Sequence, residues 1–344
     1  MAALFCLSVE GTALACSRAA FVTDAGDVFV GRNQDWTEKV NSTFNVFPRS
    51  MERVGSADEN PLTWTSKFGS LVITGYDTGT HEGVNEAGLA AHQLFLAQDL
   101  DFGERDLDRP GLGIMMQAQY MLDSFATVAE AVAAIEASDT QIVPLILPNG
   151  EPTDLHLSLT DATGDSAIIE YTKEGGHPRI YHDRRFVVMT NEPTFDRQIE
   201  NLRQYRGFGG EAALPGERTP ADRFVRAAYY VNALPEPETR DIGVAYTMSV
   251  MRNVSVPHGS GEPGKPNVAN TIFRSVQDLD GQRYFFESTF APNVVWVDWS
   301  ELDFSEGAPE LELRVEERIL SLTGDVTDEL VPPAEPFDWA LASD

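Results

Sequence analysis

Two β-hairpins, one near each end of the chain, constrain its fold more than any other feature. Residues 20–23 and 28–31 carry strand-forming apolar side chains on either side of an Asp-Ala-Gly-Asp turn. Residues 271–276 and 284–288 do the same around an Asp-Gly turn. Hairpins join neighbouring antiparallel strands, so the chain is predicted to build antiparallel sheets rather than a doubly wound parallel sheet.

Between the two hairpins the pattern alternates between strand and helix periodicity. Further strands are predicted at residues 43–48, 70–76, 88–96, 155–160, 167–171, 186–189 and, as the last strand, 294–299. Helices are predicted at residues 114–122, 128–135, 195–205, 221–233 and 238–254, and loops at the acidic residues 99–110 and the Gly/Pro-rich residues 257–266. This order predicts an α+β fold in which helices cover paired sheets, with residues 300–344 as an acidic surface wrap.

Composition excludes several classes of function. The chain has 25 Lys+Arg against 54 Asp+Glu and a formal charge of −29, with no basic stripe that could neutralise phosphates, so nucleic-acid binding is not expected. It has no run of eighteen apolar residues, so no membrane span is predicted. The 42% hydrophobic fraction is enough to bury a core, which excludes a disordered acidic chain.

Metal and cofactor motifs are missing from the sequence. Two cysteines can build neither a disulfide framework nor a Cys-x-x-Cys metal site. The six histidines never form an H-x-x-x-H or H-E-x-x-H pattern, so we expect structural roles for them and no zinc site. The glycines at residues 207–210 lie in a polar loop without a following Lys-Ser/Thr, so no phosphate-binding loop is predicted.

The first fifteen residues differ in character from the rest. Residues 1–15 are small and apolar and end in Ala-Leu-Ala before Cys16, as secretory signal peptides do. Glu10 and the lack of Lys or Arg before Arg18 depart from that pattern, and an ordinary first β-strand is the alternative. A lipoprotein signal is a third interpretation, although Ala13 stands where such signals normally have Leu. A signal peptide predicts a periplasmic or secreted protein; without one we expect a cytoplasmic protein.

An arginine and an aspartate follow the second hairpin strand and should return towards Cys16. Arg32 beside a thiol would favour the thiolate and lower the thiol pKa from about 8.5, and Asp35 could hold an ammonium or a thiol proton. The alternative is a surface Arg–Asp pair worth under about 1 kcal/mol. If Cys16 is an amino terminus, its α-amine, with a pKa of about 8, is a general base beside its own nucleophile.

Four ordered motifs resemble those of the choloylglycine hydrolase family, which contains conjugated bile acid hydrolases and penicillin V acylases among the amino-terminal-nucleophile hydrolases. They are Cys16-Ser17-Arg18 with residues 31–36, Gly-Val-Asn-Glu-Ala-Gly-Leu at residues 83–89, residues 188–196, and residues 214–216 with 223–226. Their order makes the resemblance specific, and it extends from residue 16 to about 330. It implies a four-layer αββα sandwich of two antiparallel sheets flanked by helices.

The resemblance also implies roles for particular residues. Cys16, exposed by removal of residues 1–15, would attack a linear amide and form a thioester, with its α-amine moving the proton. Arg32 would steer and polarise the thiol, and Asp35 would fix the ammonium or the thiol. Asn191 would donate to the oxyanion, with Arg223 supporting it. The same resemblance implies a single domain over residues 16–344, a homo-oligomer (a tetramer), a small N-acyl amide substrate, and neither metal nor cofactor.

Two further positions concern the substrate side. Asn85 is predicted either as a substrate- or oxyanion-binding residue or as a turn residue before Gly88. Phe95 stands where the bile-salt branch has an Asn; its N–H can complete the oxyanion hole and its ring makes the pocket more apolar. The segment between Asn191 and Arg223 is also shorter than in the bile-salt branch. Both features favour the Gram-negative branch, whose members resemble penicillin V and N-acylhomoserine lactone acylases.

The sequence therefore predicts a hydrolase that cleaves linear amide C–N bonds of N-acyl substrates of the penicillin V or N-acylhomoserine lactone type. A bile salt hydrolase is one alternative. The other is an inert binding protein of the same fold, with an uncleaved amino terminus and an unreactive Cys16.

Overall fold

A computed structural model describes residues 16–57, 59–96, 99–146, 150, 152–260 and 269–337. The predicted leader, residues 1–15, lies outside the described residues. The strands, numbered along the chain, are β1 (Ser17–Val22), β2 (Val28–Trp36), β3 (Thr43–Phe47), β4 (Glu52–Val54), β5 (Thr63–Thr65), β6 (Ser70–Gly75), β7 (Gly79–Asn85), β8 (Ala90–Phe95), β9 (Gly111–Gly113), β10 (Gln141–Val143), β11 (Leu155–Thr160), β12 (Ser166–Lys173), β13 (His177–His182), β14 (Val188–Met189), β15 (Asn270–Asp278), β16 (Arg283–Ser288), β17 (Val294–Asp298), β18 (Leu311–Leu313) and β19 (Gly324–Asp325). The helices are α1 (Gln117–Ser124), α2 (Val128–Ala137), α3 (Phe195–Leu202), α4 (Pro220–Asn232), α5 (Arg240–Asn253) and α6 (Val315–Arg318).

Two large sheets form the centre of the fold. Sheet A has the order β14-β1-β2-β15-β16-β17-β19, and sheet B has the order β13-β12-β11-β8-β7-β6-β3-β18. All large-sheet neighbours pair antiparallel except β17 and β19, which pair in parallel at one edge. Both predicted hairpins are present, as β1–β2 and β15–β16, and they lie side by side because β2 also pairs with β15.

The two sheets pack face to face, with helices on the outer faces. Aromatic rings join the sheets: the Phe44 ring of sheet B lies edge-on to Tyr284 of sheet A, with 5.3 Å between centroids, and also meets Phe286. Helices α4 and α5 pack on β1, β2 and β15, whereas α1 packs on β7 and β8 and α2 on β12 and β13. The predicted α+β class is confirmed, in the four layers that the family resemblance implies.

Helix α4 begins with strong start signals and carries a predicted site residue in its first turn. The Thr219 side chain accepts the backbone N–H of Asp222 at 3.2 Å, and Pro220 occupies the first helical position. Arg223 follows within that turn and is fully buried against β1. The cap therefore fixes the direction in which Arg223 enters the space beneath the sheet.

Some predicted elements need correction. Strand β2 runs on through Trp36, five residues beyond the predicted end at Gly31, because residues 32–36 pair with β15 and residues 32 and 33 also pair with β1. The segment 294–299 is not the last strand, since β18 pairs with β3 and β19 with β17. Strand β7, which no pattern predicted, joins β6 to β8 in sheet B.

Among the described residues, none of the helices combines the length and apolar character that crossing a membrane would require.

Candidate active site

Cys16 lies directly before β1 and borders a cavity that is lined by residues of both large sheets. Cys16 is 1% exposed, so we expect a substrate to reach the thiol through that cavity. The backbone nitrogen of Cys16 donates to Asn191 Oδ1 at 2.5 Å, and Sγ lies 3.7 Å from the carbonyl oxygen of Asp35. Both the thiol and the nitrogen next to it are thus held by residues that the sequence placed in the site.

Arg223 connects four groups around Cys16. Its Nη1 donates to the carbonyl oxygen of Cys16 and to Ser17 Oγ, each at 2.5 Å, and its Nη2 donates to Asn191 Oδ1 at 2.9 Å. Asp35 Oδ2 lies 3.6 Å from Nη1. A planar guanidinium has five N–H donors spread over three nitrogens and can serve these directions at once, whereas a lysine ammonium has three donors on a single nitrogen.

Asp35 is a buried carboxylate with an incomplete set of partners. Its Oδ1 accepts the hydroxyl of Thr271, which stands opposite it across the β2–β15 pair, while Oδ2 has no hydrogen-bond partner among the described residues. Burial raises the pKa of Asp35 to about 6, although Arg223 and the Thr271 hydrogen bond both act to lower it. Asp35 is therefore ionised at neutral pH and gains its proton in mildly acidic solution.

The resting thiol of Cys16 is protonated, which differs from the effect expected of a neighbouring arginine. Burial raises the pKa of Cys16 more than Arg32 and Arg223 lower it, and the carboxylate of Asp35 raises it further. Arg32 does lower the pKa of Cys16, as expected, but burial outweighs its effect and the net shift is upward. The cause is desolvation, which a sequence does not reveal.

Arg32 lies beside the cavity, held by backbone and side chains of both sheets. Its Nη1 donates to the carbonyl oxygen of His81 at 3.0 Å and to Glu82 Oε2 at 2.9 Å. Its Nη2 donates to Gln34 Oε1 and to the carbonyl oxygen of Gln93. The guanidinium is therefore fixed in position rather than free to follow a ligand.

Asn191 and Phe95, the two residues predicted to bind the oxyanion, lie together beside Cys16. Asn191 Nδ2 donates to the carbonyl oxygen of Phe95 at 2.8 Å, which leaves one of its two amide hydrogens. The N–H of Leu96 binds Asp154 beside β11, so the N–H and C=O of Phe95 point to the opposite edge of β8. The Phe95 N–H thus shares an edge with the Asn191 side chain.

The cavity walls beyond these groups are mainly apolar. The Trp36 and Phe95 rings lie 4.9 Å apart, and Trp36 Nε1 donates to the Tyr76 hydroxyl at 2.7 Å. The remaining apolar lining residues are Val40, Leu94, Met115 and Leu155. Such a lining suits a group that is largely apolar, and the other lining residues are polar: Gln34, Tyr76, His81, Gln93 and Thr153.

Asn85 does not join the other predicted site residues around the cavity. Its Nδ2 donates to the carbonyl oxygens of Leu122 and Phe125, and its Oδ1 accepts the N–H groups of Ala87 and Leu89. All its hydrogen-bonding atoms are used by backbone. The geometry gives Asn85 the turn role that was the alternative interpretation.

Three residues of the site were missed by the sequence reasoning. Thr271 lay in a predicted strand without an assigned role, Glu82 lay just before a recognised motif, and Tyr284 lay in the second hairpin. The pairing of β2 with β15 brings Thr271 to Asp35, and the packing of the two sheets brings Glu82 to Arg32 and Tyr284 to Glu82. Within the described ranges, no group of three or more His, Cys, Asp or Glu side chains is placed to hold a metal ion.

Comparison with known proteins assigns the family. Residues 16–312 match the family of linear amide C–N hydrolases known as the choloylglycine hydrolase family. The chain belongs to this family. A penicillin V acylase of Pectobacterium atrosepticum is 36% identical over 357 residues, covering 96% of this chain and 93% of that protein. The enzyme class expected from the sequence, a hydrolase of linear amides, is therefore confirmed.

Two other members of the choloylglycine hydrolase family define the range of similarity. The structure of penicillin V acylase from Agrobacterium tumefaciens is 42% identical, with a TM-score of 0.85 over 94% of this chain and 99% of that one. A bile salt hydrolase/transferase of Clostridium perfringens is 26% identical over 308 residues, 81% of this chain and 91% of that protein. The chain is thus more similar to these two penicillin V acylases than to that bile salt hydrolase.

Proposed function

We propose that this chain hydrolyses N-acyl amides of the penicillin V or N-acylhomoserine lactone type, with Cys16 as a mature amino-terminal nucleophile. The observation that carries the proposal is the placement of both reactive atoms of Cys16 at one cavity. Sγ lies beside Asp35 and the backbone nitrogen is held by Asn191, itself bound by Arg223. An amine at that nitrogen would be held next to the thiol that it deprotonates.

The raised pKa of the thiol explains why a base is required. Because burial keeps Cys16 protonated, attack on a carbonyl needs a group that removes the proton at that moment. Removal of residues 1–15 would free the α-amine of Cys16. This amine belongs to the same residue as the thiol and can act as the base. Asn191 Oδ1, 2.5 Å from this nitrogen, would accept a hydrogen bond from the ammonium that forms.

Acyl transfer then follows in two steps. The thiolate of Cys16 bonds to the substrate carbonyl carbon, and the oxyanion would accept hydrogen bonds from Asn191 Nδ2 and the Phe95 N–H, a stabilisation of typically about 3 kcal/mol per donor. The ammonium returns its proton to the departing amine as the C–N bond breaks. Water hydrolyses the thioester, releasing the acid and the free thiol.

The substrate class rests on the cavity and on the relatives. A pocket bordered by the adjacent Trp36 and Phe95 rings suits a phenoxyacetyl or fatty acyl group. The 36% and 42% identities to penicillin V acylases, against 26% to a bile salt hydrolase, favour the same choice.

A hydrolysis panel tests the proposal. Penicillin V, glycocholate and short- and long-chain N-acylhomoserine lactones are assayed with the processed protein, scored by kcat/KM. We expect turnover of penicillin V or the lactones above that of glycocholate. Preference for glycocholate would support the bile-salt alternative, and no turnover of any compound would support an inert binding protein.

Variants of the two cysteines separate the nucleophile from general effects. Cys16→Ser should abolish product release, whereas the matched variant Cys6→Ser should retain full activity, since Cys6 belongs to the segment removed. Intact mass should show a mature protein that begins at Cys16. An active protein that still begins at Met1 would contradict the amino-terminal mechanism.

The periplasmic or secreted location and the homo-tetramer are part of the same proposal. Cell fractionation with a tagged full-length chain tests the first, and light scattering of the processed protein tests the second. A processed protein found in the cytoplasm, or one that scatters as a monomer, would contradict them.

A further inference from the structure

The hydrogen bonds of Arg32 leave one donor of its guanidinium unused. A guanidinium has five N–H donors, two on each Nη and one on Nε. Both Nη atoms make two hydrogen bonds each, to His81 and Glu82 and to Gln34 and Gln93. Nε is buried and has no hydrogen-bond partner among the described residues. Whatever Arg32 donates to the thiolate or the substrate must therefore come from Nε.

Glu82 is the one carboxylate among these four acceptors, and its second oxygen accepts a further hydrogen bond. Its Oε2 lies 2.9 Å from Arg32 Nη1, and both side chains are almost completely buried. The hydroxyl of Tyr284, on the facing sheet, donates to Glu82 Oε1 at 2.5 Å. Burial and the neighbouring Glu82 charge raise the pKa of Tyr284 well above its usual value, so this hydroxyl remains a donor.

We propose that Glu82, backed by Tyr284, is a positioning residue for the hydrolase reaction: it holds the guanidinium of Arg32 with Nε directed to the reacting groups and offsets the Arg32 charge at Cys16. The inference rests on the proposed function of Cys16. Glu82 touches neither Cys16 nor the cavity, so its influence passes through Arg32. A salt bridge that served stability alone would have no effect on the thiol.

The charges around Cys16 show why Glu82 matters to its protonation. Without the Glu82 charge, the full charge of Arg32 would act on Sγ and make the thiolate form at lower pH. The other groups that face Cys16 or Arg32 are Asp35 on β2, Arg223 on α4, Tyr284 on β16 and His81 on β7, whose pKa burial and Arg32 lower to about 3. The α-amine of mature Cys16, with a pKa of about 8, also titrates in this range, but it is the same in every variant, so a difference between the variant and wild-type profiles reports on the loss of the Glu82 charge.

The test measures the rate of Cys16 alkylation by iodoacetamide against pH, followed by mass spectrometry of the Cys16 peptide. Glu82→Gln should lower the apparent pKa of the Cys16 thiol by about 0.5 to 1 unit. It should also lower kcat/KM by about ten-fold or more, because Arg32 loses its anchoring carboxylate. Glu82→Asp keeps the charge, so the alkylation profile should stay in place while the shorter reach still lowers kcat/KM.

Asp123→Asn is the matched control for losing a buried Arg–carboxylate pair. Asp123 binds Arg53 at 3.2 Å with both side chains buried, away from the Cys16 cavity. This variant should lose stability without moving the alkylation profile or kcat/KM. A Glu82→Gln variant that behaves like Asp123→Asn would overturn the inference; if Glu82→Gln does not fold, an unchanged kcat/KM in Glu82→Asp would do so.

Alkylation needs no turnover, so the two proposals fail separately. If the wild-type chain hydrolyses nothing in the panel, the proposed function is wrong, and the Glu82→Gln profile still decides whether Glu82 acts on Cys16. If the wild type is active and Cys16→Ser is not, but the Glu82→Gln profile is unmoved, only the role of Glu82 is wrong.

Discussion

Asp35 carries a cost in stability that its position in the site explains. Its pKa of about 6 lies above the ordinary value of 3.8, so the folded protein binds this proton more tightly than the unfolded chain does. The folded state is thus favoured when Asp35 is protonated, and this contribution is lost as the pH rises through about 6. The charged Asp35 carboxylate is thus unfavourable for folding. Such a cost is expected at a functional site, where a residue is kept for activity and not for stability.

Asp35→Asn should therefore lower activity while raising stability. At pH 7.5 we expect kcat/KM to fall by about 10² or more and Tm to rise, since the buried charge is removed. At pH 5 the gain in Tm should shrink, because wild-type Asp35 is then largely protonated. Thermal melts and kinetics at the two pH values test this. An equal loss of Tm at both would show that the Asp35–Arg223 attraction outweighs burial.

Asn191→Ala should act mainly on the chemical step. Removing its amide takes away a donor to the oxyanion, so kcat should fall by about 10² to 10³ with a much smaller change in KM. Steady-state kinetics on the processed variant provide the measurement. A change confined to KM would mean that Asn191 binds the ground state of the substrate and not the oxyanion.

Site residues that belong to a recognisable hairpin could be predicted from the sequence. Site residues on strands that are distant in the sequence could not. Arg32 and Asp35 were placed near Cys16 correctly because a hairpin fixes which residues return to its open end. Thr271 is separated from Asp35 by 236 positions, and no local pattern pairs β15 with β2. Net protonation of Cys16 also escaped prediction, since it depends on burial.

At the scale of elements, hairpins and capped helices were predictable because their signals are local. The turn residues of β1–β2 and β15–β16 and the start signals of α2, α4 and α5 each occupy a few adjacent positions. Strand β7 was missed because its residues are mostly small or polar and do not alternate with apolar ones. It contributes Val84 to the core and the buried Glu82 to the site.

The cap of α4 should matter to catalysis as well as to folding. Thr219→Ala is expected to cost about 1 kcal/mol of unfolding free energy and to lower kcat/KM several-fold, because Arg223 lies in the turn that the cap orders. Thr127→Ala on α2 removes a cap of the same 3.2 Å length, far from the cavity. Urea unfolding and kinetics compare them. If the two variants changed kcat/KM equally, the cap of α4 would have no specific effect on the site, and the prediction would be wrong.

At the scale of the whole molecule, the charge of −29 should discriminate between substrates by their charge. An acidic surface repels an anion at long range and leaves a neutral molecule unaffected, and salt screens this repulsion. Raising NaCl from about 20 to about 200 mM, across which the Debye length falls below about 10 Å, should increase kcat/KM for penicillin V but not for an N-acylhomoserine lactone. Stopped assays at constant pH measure both. Equal salt responses would mean that the charges at the cavity mouth, and not the whole surface, control the encounter.

The pairing of β2 with β15 also determines how early in synthesis the site around Asp35 can be completed. Asp35 leaves the ribosome 236 residues before Thr271, an interval on the order of tens of seconds at ordinary translation rates. Until β15 emerges, β2 lacks one neighbour and Asp35 lacks its hydroxyl partner. A nascent chain interrupted before that point carries Cys16 and Asp35 without Thr271, so we expect truncated products of this gene to be inactive.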